Sequence, residues 1–279
     1  MTLVLVSSEG GRATCIADTR VSNTPTSSAL LDGAAKILAF TARVQFSKHQ
    51  PKREHIAWEF DVGFAFAGST LFANTVFAVG SAICRSLYTS TVKTKPALDL
   101  VVTRLSETYE VVGRDLNSRR IDGGSTCEIA VFGHCLATRK VRVFHIFGTI
   151  EENQYVVKTE EVEAGRILIL GNRRAFKVGL ERERVKAHIR GYMVLSDIME
   201  DLIEDAAFPD IGGNLQSCIV SSKRIDLSPI FDLRDKQMKI FGMSVDHHFS
   251  YSAKYTVGDA SPGATLSGYW KGDPSVQSN

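Results

Sequence analysis

Apolar positions along the chain fall into short runs and into helical stripes, and their spacing separates strands from helices. Leu3-Val-Leu-Val6 is a short apolar run, Glu9-Gly10-Gly11-Arg12 carries the two glycines of a tight hairpin turn, and Ala13 to Val21 reads as the returning strand. Residues 23–35 are rich in turn formers and read as a loop before an apolar strand entered through Gly33-Ala-Ala-Lys36-Ile-Leu-Ala-Phe40. Ser69 is placed to cap a helix in which Phe72, Val76, Val79, Ile83 and Leu87 recur at three- and four-residue steps. A second stripe, Leu98, Val101, Val102, Leu105, Tyr109, Val112 and Leu116, predicts another helix, and both stripes read as core.

Gly123-Gly-Ser125 breaks that pattern, after which Cys127–Cys135, Val141–Gly148, Tyr155–Val162 and Arg166–Leu170 read as successive strands. A second helical pair follows, through Phe176, Leu180 and Val185 and then Leu195, Ile198, Met199, Leu202 and Ile203. Further strands run from Asp210 to Val220 and from Lys236 to Met243. Helix pairs set between strand blocks predict an α+β fold, an αββα four-layer sandwich with two antiparallel sheets between two helical layers. From Tyr251 onward Gly, Ser, Pro and Asp dominate, so the folded domain is expected over 2–254 and a loosely held tail over 255–279.

The 279 residues are 44% hydrophobic and 23% charged, enough for one large core. A net charge of +2 gives a nucleic-acid role no electrostatic support, and the Lys48-His-Gln-Pro-Lys52-Arg53 cluster reads as a solvated loop. No run approaches the roughly 20 apolar residues of a membrane span, and a basic region followed by an apolar core of about 7–15 residues is absent, so no secretory signal is expected. The five cysteines, Cys15, Cys84, Cys127, Cys135 and Cys218, are odd in number and scattered, several of them in apolar strand-like runs, which points to a reducing cytoplasm. Adjacent strand residues such as His247 and His248 after Asp246, or His134 and Cys135, point to opposite faces and do not converge on a metal. The glycine pairs lack the residues of a phosphate loop, so no cofactor is expected.

Candidate chemistry concentrates at the beginning of the chain. Thr2 follows Met1, and a small residue there permits removal of Met1, leaving a threonine whose own α-amine can serve as base to its hydroxyl. The hairpin brings Asp18 and Arg20 back beside that end, and a charge buried there needs a partner, for which Lys36 is the nearest candidate downstream.

Thr2 after Met1, Ile16-Ala-Asp18-Thr-Arg20-Val-Ser22, Lys36-Ile37 and Gly63-Phe-Ala-Phe-Ala-Gly68-Ser69 together resemble the N-terminal nucleophile hydrolases of the proteasome β-subunit type. Small bacterial members, the beta-proteobacterial proteasome homologue and Anbu, are the nearest in kind, strongly over residues 2–90 and more weakly beyond. The resemblance implies Thr2 as nucleophile, Asp18 and Lys36 as the charged pair beneath it, and the Gly68 backbone N–H as oxyanion donor. Residues 41–61 make a longer separation than the family's, which implies an extended hairpin or protrusion and leaves Lys48 and Lys52 as alternatives to Lys36. Arg20 is expected as a structural ion-pair partner.

Two departures accompany the likeness. Gly171-Asn172-Arg173 stands where the family has Gly-Ser-Gly, and Asp210-Ile-Gly212-Gly213 where it has an Asp followed by Ser-Gly-Gly, so Asn172 and Asp210 are supporting candidates. Val21, Ala34, Phe66 and Thr70 would form an uncharged pocket that prefers apolar side chains, with Phe66 limiting its depth. Family membership further implies a threonine peptidase acting on peptides or unfolded protein inside a ring-like homo-oligomer packed through the 69–88 and 173–205 helical layers, with any unfoldase unidentified. A small-amide hydrolase using the same nucleophile, and an inactive subunit that retains the fold, are the alternatives.

Overall fold

Strand side chains alternate between faces, so one strand can feed two separate cores. In the computed structural model the elements are β1 (Leu3–Glu9), β2 (Arg12–Asp18), β3 (Arg20–Asn23), β4 (Ser28–Asp32), β5 (Ile37–Phe46), β6 (His55–Gly68), α1 (Thr70–Cys84), β7 (Leu87–Thr89) and α2 (Leu98–Ser118). They continue as β8 (Cys127–Cys135), β9 (Lys140–Glu151), β10 (Gln154–Glu161), β11 (Ile167–Gly171), α3 (Arg173–Arg190), α4 (Leu195–Ile203), β12 (Leu215–Val220), β13 (Ile225–Leu227), β14 (Ile230–Asp232), β15 (Gln237–Ile240) and β16 (Met243–Ser244). The residues described are 2–9, 11–23, 28–46, 55–89, 94–118, 127–152, 154–190, 195–222, 224–228, 230–232, 237–240 and 243–244. Lys48, Lys52, the Gly123-Gly-Ser125 break, the Asp246-His247-His248 run and the 255–279 tail lie outside them.

β1 shows the division. Leu3 and Leu5 pack against Phe176, Ile198, Met199 and Leu202 of α3 and α4, while Val4 and Val6 turn the other way to meet Ile37, Ala65 and Phe132 of the second sheet. On the far side of that sheet Phe40, Phe64 and Ile129 pack against Phe72, Val76, Leu98, Leu105 and Tyr109 of α1 and α2. Three apolar layers require four layers of elements, and the order is helices, sheet, sheet, helices. Full burial of each Leu or Phe stabilises by about 1.5–3 kcal/mol, so these contacts dominate the energetics.

One sheet runs β11-β1-β2-β12-β14-β15-β16 with β13 also on β12, the other β10-β9-β8-β6-β5-β7, and β3-β4 form a ribbon apart from both. Pairing is antiparallel except between β5 and β7, which are parallel at the second sheet's edge. The first hairpin and the two helix pairs stand where the hydrophobic pattern places them, except that α1 ends at Cys84 and Leu87, the last residue of its stripe, starts β7 beside Val44. The separation between Lys36 and Asp61 is a long hairpin, with β5 and β6 paired from Ile37↔Ala65 to Phe46↔His55.

Other expectations differ too: the strand expected from Asp210 begins at Leu215, and that expected over Lys236–Met243 is divided into β15 and β16. Residues 23–35 are not all loop, because Ser28–Asp32 pairs with Arg20–Asn23. The returning strand also stops at Asp18, since Thr19 is drawn into contacts distant in sequence: its N–H donates to Gly212 O at 3.2 Å and its carbonyl accepts from Ala34 N at 3.0 Å.

Candidate active site

Thr2, Asp18 and Lys36 come together at one end of the sandwich. The β1–β2 register pairs Val4 with Ala17, and one step further sets Leu3 opposite Asp18. The Leu3 N–H donates to Asp18 Oδ1 at 2.8 Å, and the Thr2 hydroxyl donates to the same oxygen. Lys36, just ahead of β5 on the other sheet, points its ammonium at Thr2 Oγ1, at both Asp18 oxygens (3.0 Å each) and at the Arg20 carbonyl (2.5 Å). Gly212 N (3.3 Å) and Arg20 N (3.2 Å) complete the donors around Asp18 Oδ2.

This constellation is nearly dry: Thr2 is 5% exposed, Asp18 0% and Lys36 2%. Burial disfavours the charged form of the lysine and holds its pKa below the ordinary lysine range, while the Asp18 charge and hydrogen bond pull it back up. A buried cation in contact with a hydroxyl is an arrangement that favours an alkoxide-like oxygen.

Arg20 takes a different part. Its guanidinium grips Asp32 with two bonds of 2.6 and 2.8 Å and reaches Pro209 O at 3.0 Å, and the hydrogen bond to Asp32 raises its pKa. Only its backbone meets Lys36 and Asp18, which makes it the ion-pair partner that closes the β3–β4 ribbon onto the site.

The chain at Thr2 is held by β11. Leu3 pairs with Gly171, and Asn172 N donates to Thr2 O at 3.0 Å. Gly171 has φ of +84°, and a Cβ there would lie 1.9 Å from Thr2 O, so glycine alone fits without displacing the strand. Glu128 on β8 fixes this corner by accepting from Gly171 N at 2.9 Å and from the Arg173 guanidinium at 2.7 Å. Asn172 caps α3 by accepting from Ala175 N at 2.9 Å and donates to Asp210 Oδ2 at 3.1 Å. Asp210 is 8% exposed, and its charge reaches Lys36 and raises that pKa.

Gly68 closes β6 with φ of +117°, and Ala67 beside it would meet a Cβ on Gly171 at 3.1 Å, so this strand end abuts the Thr2 corner. Ala34 donates to Thr19 O from the loop ahead of Lys36, Val21 lies on β3 opposite Leu31, and Thr70 opens α1 behind the Ser69 cap. Phe66 lies on the helix-facing side of β6, 1% exposed among Phe64 and Phe72, and its backbone N–H donates to Lys36 O at 3.2 Å. Sequence reasoning missed Thr19, Glu128 and Gln216. The last carried a signal, a lone amide among the apolar residues of Leu215–Val220. Among the described residues no three His, Cys, Asp or Glu side chains gather as metal ligands, and no helix is long and apolar enough to cross a membrane.

Neither a protein-family model nor a curated protein matches the sequence. Among solved structures, a Gly-1 mutant of Anbu from Hyphomicrobium sp. strain MC1 is similar over 81% of this chain and 86% of that chain, with 12% identity and a TM-score of 0.50. Anbu (ancestral beta-subunit) from Yersinia bercovieri is similar over 78% and 81%, with 13% identity and a TM-score of 0.49. The Anbu complex from Pseudomonas aeruginosa, described as a helical assembly, covers 90% and 89% with 14% identity and a TM-score of 0.49. At this identity the likeness is one of fold, the α+β sandwich shared with the Hyphomicrobium protein.

Proposed function

We propose that the protein is a threonine peptidase of the N-terminal nucleophile kind, acting on peptides or unfolded protein as a subunit of a proteasome-like homo-oligomer in the cytoplasm. The observation that carries the reading is the seat of the Thr2 hydroxyl, between the Asp18 carboxylate and the buried Lys36 ammonium. Removal of Met1 frees an α-amine whose ordinary pKa of roughly 7.7–8.0 leaves a useful neutral fraction near pH 8. That amine accepts the Oγ1 proton as Oγ1 bonds to the amide carbon, and the carbonyl electron pair moves onto oxygen, where the Gly68 N–H receives it. The amine passes the proton to the leaving nitrogen, the C–N bond breaks, and an ester to Thr2 remains. Water then attacks the ester, giving one proton to the amine, which returns it to Oγ1 as the ester C–O bond breaks. Lys36 stays cationic throughout and lowers the pKa of hydroxyl and amine by its proximity.

Val21, Ala34 and Thr70 supply an uncharged wall to the pocket, with Phe66 packed behind it, which favours apolar side chains before the scissile bond. Packing of identical subunits is supported by α1, where no charged residue occurs in Thr70–Cys84 and Leu71, Val79 and Ile83 are exposed. The five buried, free cysteines support a reducing compartment.

A second reading, an inactive subunit that keeps the fold, is favoured by Asn172, because an amide spent on the α3 cap and on Asp210 cannot shuttle a proton as a hydroxyl does. Mass spectrometry of the native N-terminus and turnover of a fluorogenic peptide decide between them. Thr2→Ala is expected to lower turnover by about 10³-fold or more while folding and assembly persist. Retention of Met1 on the native protein, or an alanine variant as active as wild type, would overturn the mechanism. A monomer in light scattering under active conditions would overturn the particle.

A further inference from the structure

Lys36 lies just ahead of the first residue of β5 in one sheet, and its partners Thr2 and Asp18 lie at the ends of β1 and β2 in the other, so their spacing depends on how the sheets lie against each other. Most of that contact is apolar, with Val4, Cys15 and Ala17 against Ile37, Ala65 and Phe132. Apolar contact is non-directional and sets no fine register. At the site end, Gln216 of β12 crosses it. Its Oε1 accepts from Lys36 N at 2.8 Å and from Ile37 N at 2.9 Å, and its Nε2 donates to Ile37 O at 2.8 Å.

The reason for an amide here lies in β5. At Ile37 that strand has β6 on one side, and β7 joins its other edge only at Val44–Phe46. An open strand edge in a buried place leaves backbone donors and acceptors unpaired. The Gln216 side chain, in a residue 3% exposed, stands in for the missing neighbour. Lys36 is thereby anchored at its N–H by Gln216 and at its carbonyl by Phe66 N. The bond crosses from the sheet that carries the hydroxyl to the chain that carries the ammonium.

We propose that Gln216 is a positioning residue that fixes the height of Lys36 beneath Thr2 by tying the Lys36 backbone to the sheet bearing Asp18. It acts through Lys36 and touches no substrate, and it rests on the nucleophile reading above. A shift of the ammonium by a fraction of its contact distance withdraws charge from Oγ1 without closing the pocket, so the loss falls on turnover.

The test uses the full chain with native N-terminal processing, Gln216→Leu and Gln216→Glu, and a fluorogenic peptide bearing Leu before the scissile bond. Gln216→Leu removes all three bonds and is expected to lower kcat about 100-fold, with KM within about twofold of wild type. Gln216→Glu, ionised, loses the donor to Ile37 O but still accepts from both N–H groups, and restores at least about tenfold of that loss. Its added negative charge beside Lys36 moves the rising limb of kcat to higher pH, while the fall in kcat at constant KM is what a merely structural role would not produce. A Gln216→Leu variant with kcat within about threefold of wild type, or an unshifted limb in Gln216→Glu, overturns the proposal, and the glutamate variant decides alone if the leucine variant does not fold. Failure of the nucleophile reading is seen separately, as equal turnover of wild type and Thr2→Ala. Titration of ¹³Cε-labelled lysine, assigned with Lys36→Met, reads Lys36 even then: in the folded Gln216 variants its pKa moves toward the ordinary lysine value, and an unmoved titration overturns the proposal.

Discussion

Among the described residues the clusters around Arg142 and around Lys36 each join a cation to carboxylates, and burial makes them opposites. On the surface, Arg142 of β9 donates from Nε and Nη2 to Glu161 at 2.7 Å each and from Nη2 to Asp99 at 3.0 Å. Asp99 is 52% exposed and Glu161 46%. There every shift favours the charged forms: the bond to Glu161 raises Arg142, and bonds from Arg142 lower Asp99 and Glu161. Between the sheets, burial outweighs attraction and lowers Lys36. The first cluster clips α2 and β10 to β9. The second holds a cation where its charge is costly, and that cost is relieved by any neighbour that gives up a proton. A charge held at such a cost is what the proposed nucleophile reading uses.

The sharpest way to break this comparison is to remove each cation. Lys36→Ala leaves Asp18 buried without its countercharge and is expected to cost about 3–5 kcal/mol of stability, read by denaturant unfolding. Turnover should fall about as far as in Thr2→Ala, since groups acting as one unit are not additive. An active, fully stable Lys36→Ala variant would make the buried cluster no different in kind from the surface one.

The lowered pKa values of the two clusters predict slopes of the same sign in different pH windows. Lys36 has a folded pKa below its unfolded value, so between the two the unfolded chain binds more protons and stability rises with pH. Asp99 and Glu161 have folded values below their unfolded ones, so their contribution is present above the unfolded carboxylate range and is lost as pH falls through the folded values. Urea unfolding against pH should therefore show an alkaline slope that disappears in Lys36→Ala and an acid slope that flattens in Arg142→Ala.

The smallest effect belongs to Arg142→Ala itself. Two solvated carboxylates lose one partner, and the expected change is about 0–1 kcal/mol, smaller still at high salt, with turnover unchanged. A drop in turnover would show that the β9–β10 edge communicates with the site.

Local pattern fixed a large part of this molecule before any contact was known. Thr2, Asp18 and Lys36 could be singled out from the hairpin turn at Gly10-Gly11, the short strand that returns from it, and a lone lysine ahead of an apolar strand. The four layers followed from the spacing of apolar residues, because burying a stripe or a strand face is a local demand with few global solutions. Contacts distant in sequence decided the rest. Ser28–Asp32 lacks a strong strand pattern and becomes a strand by pairing with β3. Asn172, a plain helix cap by its position, also spans to Asp210. Gln216 reads as a polar residue beside Ser217 in a largely apolar strand until folding sets it against the open edge at Ile37, 179 residues earlier in the chain. Periodicity reports which face a residue turns inward, whereas a directional bond depends on what the fold has placed opposite that face.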